Sequence, residues 1–224
     1  MMGMLMIGMG RLLKFTISLA FALLGMTFAA RVIGSRLTPD FAAVFTTANG
    51  QPCAALCLFG IIPGETAYLA SEGLLRAHPL TRYGSVNARA GGALLDFHGA
   101  AFDITILQGE NNRVGSISLS FPADAAPLFH AATFGHALAQ IGTPHQLQLA
   151  RQNRRHVRLF YPAQGVVLSG NATADRLNPA DPLTFLGIST QPMFNEAWRG
   201  ILLATVPWGG FRELRLYLIT AAYP

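Results

Sequence analysis

Two cysteines with three residues between them, Cys53 and Cys57, are the first candidates for chemistry, and the chain has no others. A zinc site needs four ligands, and the nearest histidine pair, His130 and His136, begins more than seventy residues later. Structural zinc sites use much shorter loops. Redox centres of the thioredoxin type and covalent haem attachment both require two intervening residues. In an oxidising compartment we therefore expect a local disulfide, with two buried free thiols as the alternative.

Two strand histidines, His98 and His156, are the next candidates. Neither has a nucleophile or carboxylate at the spacing of a known catalytic motif, and no G-x-S-x-G, H-E-x-x-H, S-x-x-K or P-loop occurs. No lysine follows Lys14, which excludes Schiff-base chemistry in the rest of the chain. We expect no catalytic residue, no metal site and no cofactor.

One basic cluster, "RQNRRHVR", contains Arg151, Arg154, Arg155 and Arg158. Near a membrane it could meet anionic headgroups or an acidic partner, and a solvated strand edge that resists strand addition is the alternative. From residue 31 onward the chain has fourteen arginines and eleven acidic residues, which give a net charge of +3. This is not the strongly basic composition that indicates nucleic-acid binding. We predict the cluster to be an interaction site, together with the aromatic Trp208 and Phe211.

The N-terminal 33 residues predict a membrane anchor. Sixteen uncharged residues, 15–30, lie between Lys14 and Arg31. As a helix this run measures about 24 Å, and flanking apolar residues and snorkelling basic side chains extend it toward the roughly 30 Å hydrocarbon core. The large apolar side chains assigned to the anchor are Phe15, Leu19, Phe21, Leu23, Leu24 and Phe28.

The same segment also fits a cleaved signal peptide, because a basic start and an apolar middle lead to the small-x-small triplet 27–29. The apolar run is slightly long for a signal peptide and Arg31 follows at once, so a retained anchor is favoured. No cysteine precedes Cys53, so no lipoprotein cleavage motif closes the segment. In either case we expect residues 34–224 on the extracytoplasmic side of a bacterial cell membrane.

A helix followed by strands is predicted after a linker at residues 34–50. "PGETAYLASEGLLRAHPLT" has a Pro-Gly start and a His-Pro end, and Leu69, Leu74 and Leu75 supply its apolar face. In "ALLDFHG", "FDITILQG" and "RVGSISLSF" apolar residues alternate with polar ones. This alternation predicts antiparallel strands with one buried face.

The same order then recurs. "APLFHAATFGHALAQIGTPHQL" predicts a helix, "RRHVRLFYP" and "GVVLSGN" predict strands, and "LTFLGIST" is a candidate third strand. "MFNEAWRGILLATV" predicts a last helix or a strand within it, and "FRELRLYLIT" predicts a closing strand. We therefore predict an α+β protein in which an N-terminal transmembrane helix precedes two tandem helix-plus-antiparallel-sheet units, at residues 51–125 and 126–224.

Two resemblances accompany this order of elements. "PCAALCLFGIIPGET" is similar to a Pro-Cys-x3-Cys-x2-Gly-Ile-x-Pro-Gly-x-Thr signature in uncharacterised exported proteins of Chloroflexota. The resemblance implies export, and that group has no assigned activity to carry over. "GIIPGETAYLASEGLLRAHPLT" followed by strands resembles the small outer-membrane assembly modules of the SmpA/OmlA (BamE-like) type. In those modules a Gly-x-Thr helix start precedes helices packed on an antiparallel sheet. The lipoprotein cleavage motif of that family is missing here.

The function predicted from these features is a non-catalytic, single-pass accessory or scaffold subunit of a larger membrane protein complex. Its expected partners are the lipid bilayer and the other subunits, and no nucleic acid. An exported ligand-binding domain or enzyme of unknown substrate is one alternative. A BamE-like envelope assembly factor is the other.

Overall fold

The computed structural model describes most of the chain beyond residue 40. The described residues are 19, 20, 23, 25, 26, 41–88, 93–122, 132–150, 153, 155–202 and 204–217. Residues 40–224 form one compact unit, and residues 1–39 form another.

Two of the six predicted anchor residues are described in the N-terminal unit. Leu19 and Leu23 are helical and about half exposed, at 50% and 55%. The other four lie outside the described residues: Phe15, Phe21, Leu24 and Phe28. In the part of the chain that the structure describes, no helix has both the length and the apolar character that crossing a membrane requires.

Among the described residues of the second unit, nine antiparallel strands form a single sheet. They are β1 (Ser85–Ala88), β2 (Leu94–His98), β3 (Asp103–Gln108), β4 (Val114–Ser120), β5 (Gln146–Leu149), β6 (His156–Tyr161), β7 (Val166–Asn171), β8 (Leu183–Ser189) and β9 (Val206–Pro207). Their order across the sheet is β1-β2-β3-β4-β8-β7-β6-β5-β9. An α+β fold with a large antiparallel sheet is thus confirmed.

Three α-helices have bounds that lie within the described residues: α1 (Ser71–Ala77), α2 (Phe134–Ile141) and α3 (Gln191–Leu202). Helix α1 precedes β1–β4 and α2 precedes β5–β8. The α2 N-terminus is capped by Thr133, whose side chain accepts a hydrogen bond from the His136 backbone N–H. Short 3₁₀ helices lie at Phe41–Phe45, Tyr68–Ala70, Glu110–Asn112 and Pro162–Gln164.

The pairing of β4 with β8 joins the two sets of strands. Ser118 lies opposite Gly187 in the middle of this pair, and the flanking apolar residue Ile117 lies opposite Ile188. Both isoleucines are almost fully buried. The residues predicted as two units therefore share one sheet.

The two faces of the sheet are covered differently. Alternate strand residues such as Ile104, Leu119 and Leu159 belong to one large core together with residues of α1, α2 and the first 3₁₀ helix. On the opposite face, a smaller cluster joins Phe160 and Val167 of the sheet to α3. The period-2 alternation of the strands produces both clusters.

The 3₁₀ helix Phe41–Phe45 lies inside the stretch predicted as a linker. Phe41 and Val44 are completely buried, and the Phe41 ring lies 6.2 Å from the ring of Phe121. This part of the stretch therefore belongs to the core, whereas Asn49 and Gly50 at its end are exposed. The polar residues that follow it gave the stretch the composition of a linker.

The closing strand predicted at residues 211–220 is wrong, because residues 214–217 are helical. Leu214 and Tyr217, three residues apart, are buried, whereas Leu216 is 40% exposed. A spacing of three places both buried side chains on one helical face, whereas a strand, with its period of two, would place Leu214 and Leu216 together on one face.

The predicted first helix is confirmed, but one residue of its predicted apolar face is misplaced. Leu69 is 88% exposed, while Tyr68, Ser71 and Leu75 are buried. The α-helix begins only at Ser71, and Leu69 lies in the 3₁₀ turn before it. A change of helical period at this junction rotates Leu69 into solvent.

Candidate functional site

Cys53 and Cys57 form a disulfide, which confirms the predicted local bridge. Their Cα atoms lie 6.2 Å apart, within the range that disulfides adopt. The loop between them is a bend rather than a helix, with Ala54 and Ala55 exposed and Cys57 only 1% exposed. The bridge therefore connects an exposed bend to the buried Cys57.

We name residues 41–61, which contain this bridge, the clasp. The Phe59 N–H donates to the Val44 carbonyl at 2.7 Å, which folds the clasp back on itself. Leu58 and Ile61 pair across a tight turn at Phe59 and Gly60, both of which have positive φ angles, 55° and 77°. The clasp is thus a closed loop with its own hydrogen bonds.

The side chain of Phe59 ties the clasp to the core. It is completely buried, and its ring stacks on Phe102 at 5.5 Å and meets the His78 ring edge-on at 5.2 Å. A phenylalanine at positive φ is uncommon, since this backbone region favours glycine, asparagine and aspartate. Packing of the ring therefore holds a backbone conformation that the residue itself disfavours.

His78, which follows the last residue of α1, is 2% exposed and was not among the sequence candidates. Its Nδ1 accepts the Leu80 N–H at 3.2 Å, and its Nε2 lies 3.3 Å from the Thr46 hydroxyl oxygen. These partners define a neutral ring with its proton on Nε2. Burial lowers the pKa of His78 below the ordinary histidine value. In the sequence, the pair His78-Pro79 had indicated only the end of a helix.

The disulfide can be tested directly by mass spectrometry. The unreduced peptide that carries Cys53 and Cys57 should be two hydrogens lighter than its reduced form. Because the closed loop is short, a variant with both cysteines replaced by serine should lose only about 1–2 kcal/mol of unfolding free energy. That variant also serves as the control that does not respond to reductant. Free alkylation of both thiols in freshly isolated protein would contradict the bridge.

The two histidines singled out in the sequence form cross-strand contacts. His98 Nδ1 lies 3.0 Å from Asp103 Oδ1 on the neighbouring strand β3. His156 Nδ1 lies 3.2 Å from Asn171 Oδ1 on β7. These contacts join adjacent strands at the ends of their pairing. Each histidine has a structural role of the kind that stabilises a sheet locally.

Two of the four clustered arginines are described, and each has a partner within the domain. Arg155 donates to Asp175 at 3.0 Å, in an exposed pair. Arg158 donates to Gln148 at 3.1 Å, and its guanidinium lies 5.9 Å from the centre of the Trp198 ring. Arg158 thus helps to hold α3 on the sheet. Arg151 and Arg154 lie outside the described residues, so the interaction role of the cluster stays a prediction.

Trp208 and Phe211 belong to an aromatic cluster near the C-terminus. Their rings meet edge-on at 5.4 Å, and Trp208 also stacks on Tyr217 at 6.3 Å. The Tyr217 hydroxyl donates to the Gly210 carbonyl. Burial raises the pKa of this hydroxyl. Trp208 and Phe211 are half-buried against the main core. Only the exposed parts of these two side chains are therefore available for the predicted interaction with a partner.

A cleft of about 370 Å³ lies between the β3–β4 turn and the start of α3. Arg113, Thr190 and Glu196 supply polar groups to its lining, and Met193 an apolar one. Met193 packs directly on Gly115, where an added Cβ would lie 2.1 Å from the Met193 sulfur. Among the described residues, no three His, Cys, Asp or Glu side chains come together as a group that could hold a metal ion.

Asp181, a buried carboxylate, organises the loop between β7 and β8. It accepts hydrogen bonds from the Thr173 N–H at 3.0 Å, the Thr173 hydroxyl at 2.6 Å and the Asn178 N–H at 2.7 Å. Three such bonds satisfy a buried carboxylate and fix the loop. Asp181 therefore has a structural role, like the histidine and arginine contacts above.

Comparison of the chain with known protein families, with curated proteins and with solved structures gives no match.

Proposed function

We propose that the chain is a non-catalytic accessory or scaffold subunit, anchored by its N-terminal segment, whose folded domain lies on the extracytoplasmic side of a bacterial cell membrane. The observation that carries this proposal is the Cys53–Cys57 disulfide. Structural disulfides persist in oxidising compartments and are rare in the cytosol. The uncharged run at residues 15–30 supplies a means of attachment to the membrane.

A scaffold role is supported by the way in which ionisable side chains are used. His98 contacts Asp103 across two strands, Arg155 contacts Asp175, and Asp181 holds a loop. Each of these groups joins neighbouring elements of the domain. The arrangement favours a rigid surface for a partner over a centre for proton transfer, which needs such groups directed at one reacting atom.

The architecture supplies that rigid surface. In this proposal, the two sets of one helix and four strands are tandem α+β units that pair through β4 and β8. Together they form one wide antiparallel sheet, whose two edge strands are β1 and β9. A BamE-like assembly factor would be one special case of such a subunit.

One edge of the sheet is suited to contact a partner chain. Within the described residues β1 pairs only with β2, and its Ser85, Asn87 and Ala88 are exposed. The strand carries neither a charge nor a proline, the features that commonly protect an edge. The opposite edge ends at β9, which contains Pro207. Addition of a strand to an open edge is a recurrent mode of protein recognition.

Native electrophoresis after extraction in mild detergent tests the proposal. The chain, whose mass is 24.0 kDa, should migrate in a larger assembly, and mass spectrometry of that band should find other polypeptides in constant ratio to it. Migration as a monomer with a small molecule bound stoichiometrically would contradict the subunit function and favour the exported ligand-binding domain.

A pair of variants locates the contact within the assembly. The double variant Ser85→Lys and Asn87→Lys places charges along the edge strand, whereas Glu196→Lys places one on the exposed face of α3. Loss of the larger band with the first variant and its retention with the second would assign the contact to β1. Loss with Glu196→Lys alone would assign the contact to α3.

A further inference from the structure

We propose that His78 is an acid-sensitive latch, and that its protonation releases the clasp, residues 41–61, from the rest of the domain. The clasp carries the disulfide and lies at the start of the second compact unit. Its release would uncover the end of the core that Phe59 closes.

His78 forms a directional contact between the clasp and the end of α1. Backbone hydrogen bonds inside residues 41–61, such as those from the Thr47 N–H to the Gln51 carbonyl and from the Phe59 N–H to the Val44 carbonyl, hold the clasp together as a unit. The Thr46 hydroxyl forms a hydrogen bond that leaves the clasp, to His78 Nε2 at 3.3 Å. The edge-on contact of the Phe59 ring with the His78 ring is apolar and is not directional in the same way.

The neutral imidazole has one donor and one acceptor, and both are in use. Nε2–H faces the Thr46 hydroxyl, which in turn donates to the Ala43 carbonyl at 2.8 Å. Nδ1 accepts the Leu80 N–H. A second proton would sit on Nδ1, where it would turn the acceptor of this N–H into a donor. The ring would then also carry a charge between Phe59 and the end of α1, without water to solvate it.

Burial is the largest influence on the protonation of His78, and the titratable groups of the described elements around it are few. Residues 41–61 contain no Asp, Glu, His, Lys or Arg. On α1, Glu72 and Arg76 pair with each other in solvent, and after the helix Arg82 lies over the ring of Tyr83. From β3 and the turn before it, Phe102 is the residue that packs on Phe59. Two further titratable groups on this side are Tyr68, which is neutral in the acid range, and Asp96 of β2, which lies within electrostatic range of Tyr68 and accepts a hydrogen bond from the Thr105 hydroxyl.

The direction of the pH effect follows from burial. Burial holds the pKa of His78 below the ordinary histidine value, so the open clasp binds a proton more readily than the closed one. The closed clasp therefore loses stability as the pH falls below about 6.5 and continues to lose it until the lowered pKa is reached. Above pH 7 both forms are neutral, and the latch stays closed.

Hydrogen–deuterium exchange read by mass spectrometry tests the latch on the full chain. Between pH 7.5 and pH 4.5, after correction for intrinsic exchange rates, peptides within residues 41–61 should lose at least tenfold in protection relative to peptides within residues 166–189. His78→Phe keeps the ring volume without a titrating group and should abolish this difference. The matched control His98→Phe, at an exposed histidine, should behave as the wild type.

Three results would overturn the proposal: equal protection of the clasp at both pH values, the same loss in the His78→Phe variant, or simultaneous loss of protection in both regions. If the variant does not fold, ring-labelled histidine NMR of the wild type decides. The His78 ring should change protonation at the pH at which the clasp opens, whereas a ring that becomes charged in a still closed clasp would contradict the latch.

Discussion

Gly165→Ala should lower the free energy of unfolding by about 3 kcal/mol, through one added methyl group. Gly165 turns the chain between the 3₁₀ helix Pro162–Gln164 and β7, with a φ angle of +66°. A Cβ there would lie 2.1 Å from the Ser189 carbonyl oxygen. The Ser189 N–H also donates to the Gly165 carbonyl at 2.9 Å, so relief of the clash has to disturb the β7–β8 pair.

The matched control is Gly200→Ala at an exposed position of α3. No atom lies within 4 Å of an added Cβ at Gly200, and alanine in a helix interior should raise stability by about 0.5–1 kcal/mol. Urea unfolding of both variants measures the two changes under identical conditions. Similar changes in both, or an unaffected Gly165→Ala, would mean that the turn is not as tight as described.

Phe59→Ala should cost about 3–5 kcal/mol, the range for removal of a fully buried aromatic ring. The ring of Phe59 stacks on Phe102 and contacts His78, so its removal leaves a cavity between the clasp and the core. Alanine also keeps the disfavoured positive φ angle without the packing that holds it. Since domains are stable by only about 5–15 kcal/mol, this loss is a large share of the total.

Leu69→Ala is the control for removal of an apolar side chain. Leu69 is 88% exposed, so its loss should change stability by less than about 0.5 kcal/mol. Thermal and urea unfolding of both variants should agree. If Phe59→Ala also changes stability by less than about 1 kcal/mol, the clasp contributes little to the core.

Local patterns were sufficient to predict much of this fold. The alternation in "FDITILQG" and "RVGSISLSF" predicted β3 and β4, and the His-Pro end predicted the end of α1 at Ala77. The cysteine spacing, once metal and redox motifs were set aside, predicted the disulfide. These signals are carried by residues near each other in the chain, which a single sequence displays directly.

The features that the sequence could not predict depend on distant partners. The β4–β8 pair joins residues about seventy positions apart, such as Ile117 and Ile188, and nothing local selects one apolar strand over another. Phe59 occupies a turn position where asparagine or glycine would be expected, because contacts with Phe102 outweigh its local preference. For the same reason His78, read locally as a helix end, could not be recognised as a buried contact to Thr46.

The C-terminal stretch shows a different cause of error. Leu214, Leu216 and Tyr217 fit both a strand and a helix when only a few positions are considered. The burial of Leu214 and Tyr217 selects the helix. A short apolar run of this kind is resolved by the surface against which it packs, here Trp208 and the main core.

The extracytoplasmic location of the folded domain is the claim that the disulfide supports, and the proposed anchor and partners depend on it. Protease added to intact spheroplasts tests it most directly, with an antibody against the domain as the readout and a cytoplasmic protein as the control. We predict that the domain is digested without lysis while the cytoplasmic control stays intact. Full protection of the domain until the spheroplasts are lysed would contradict the account.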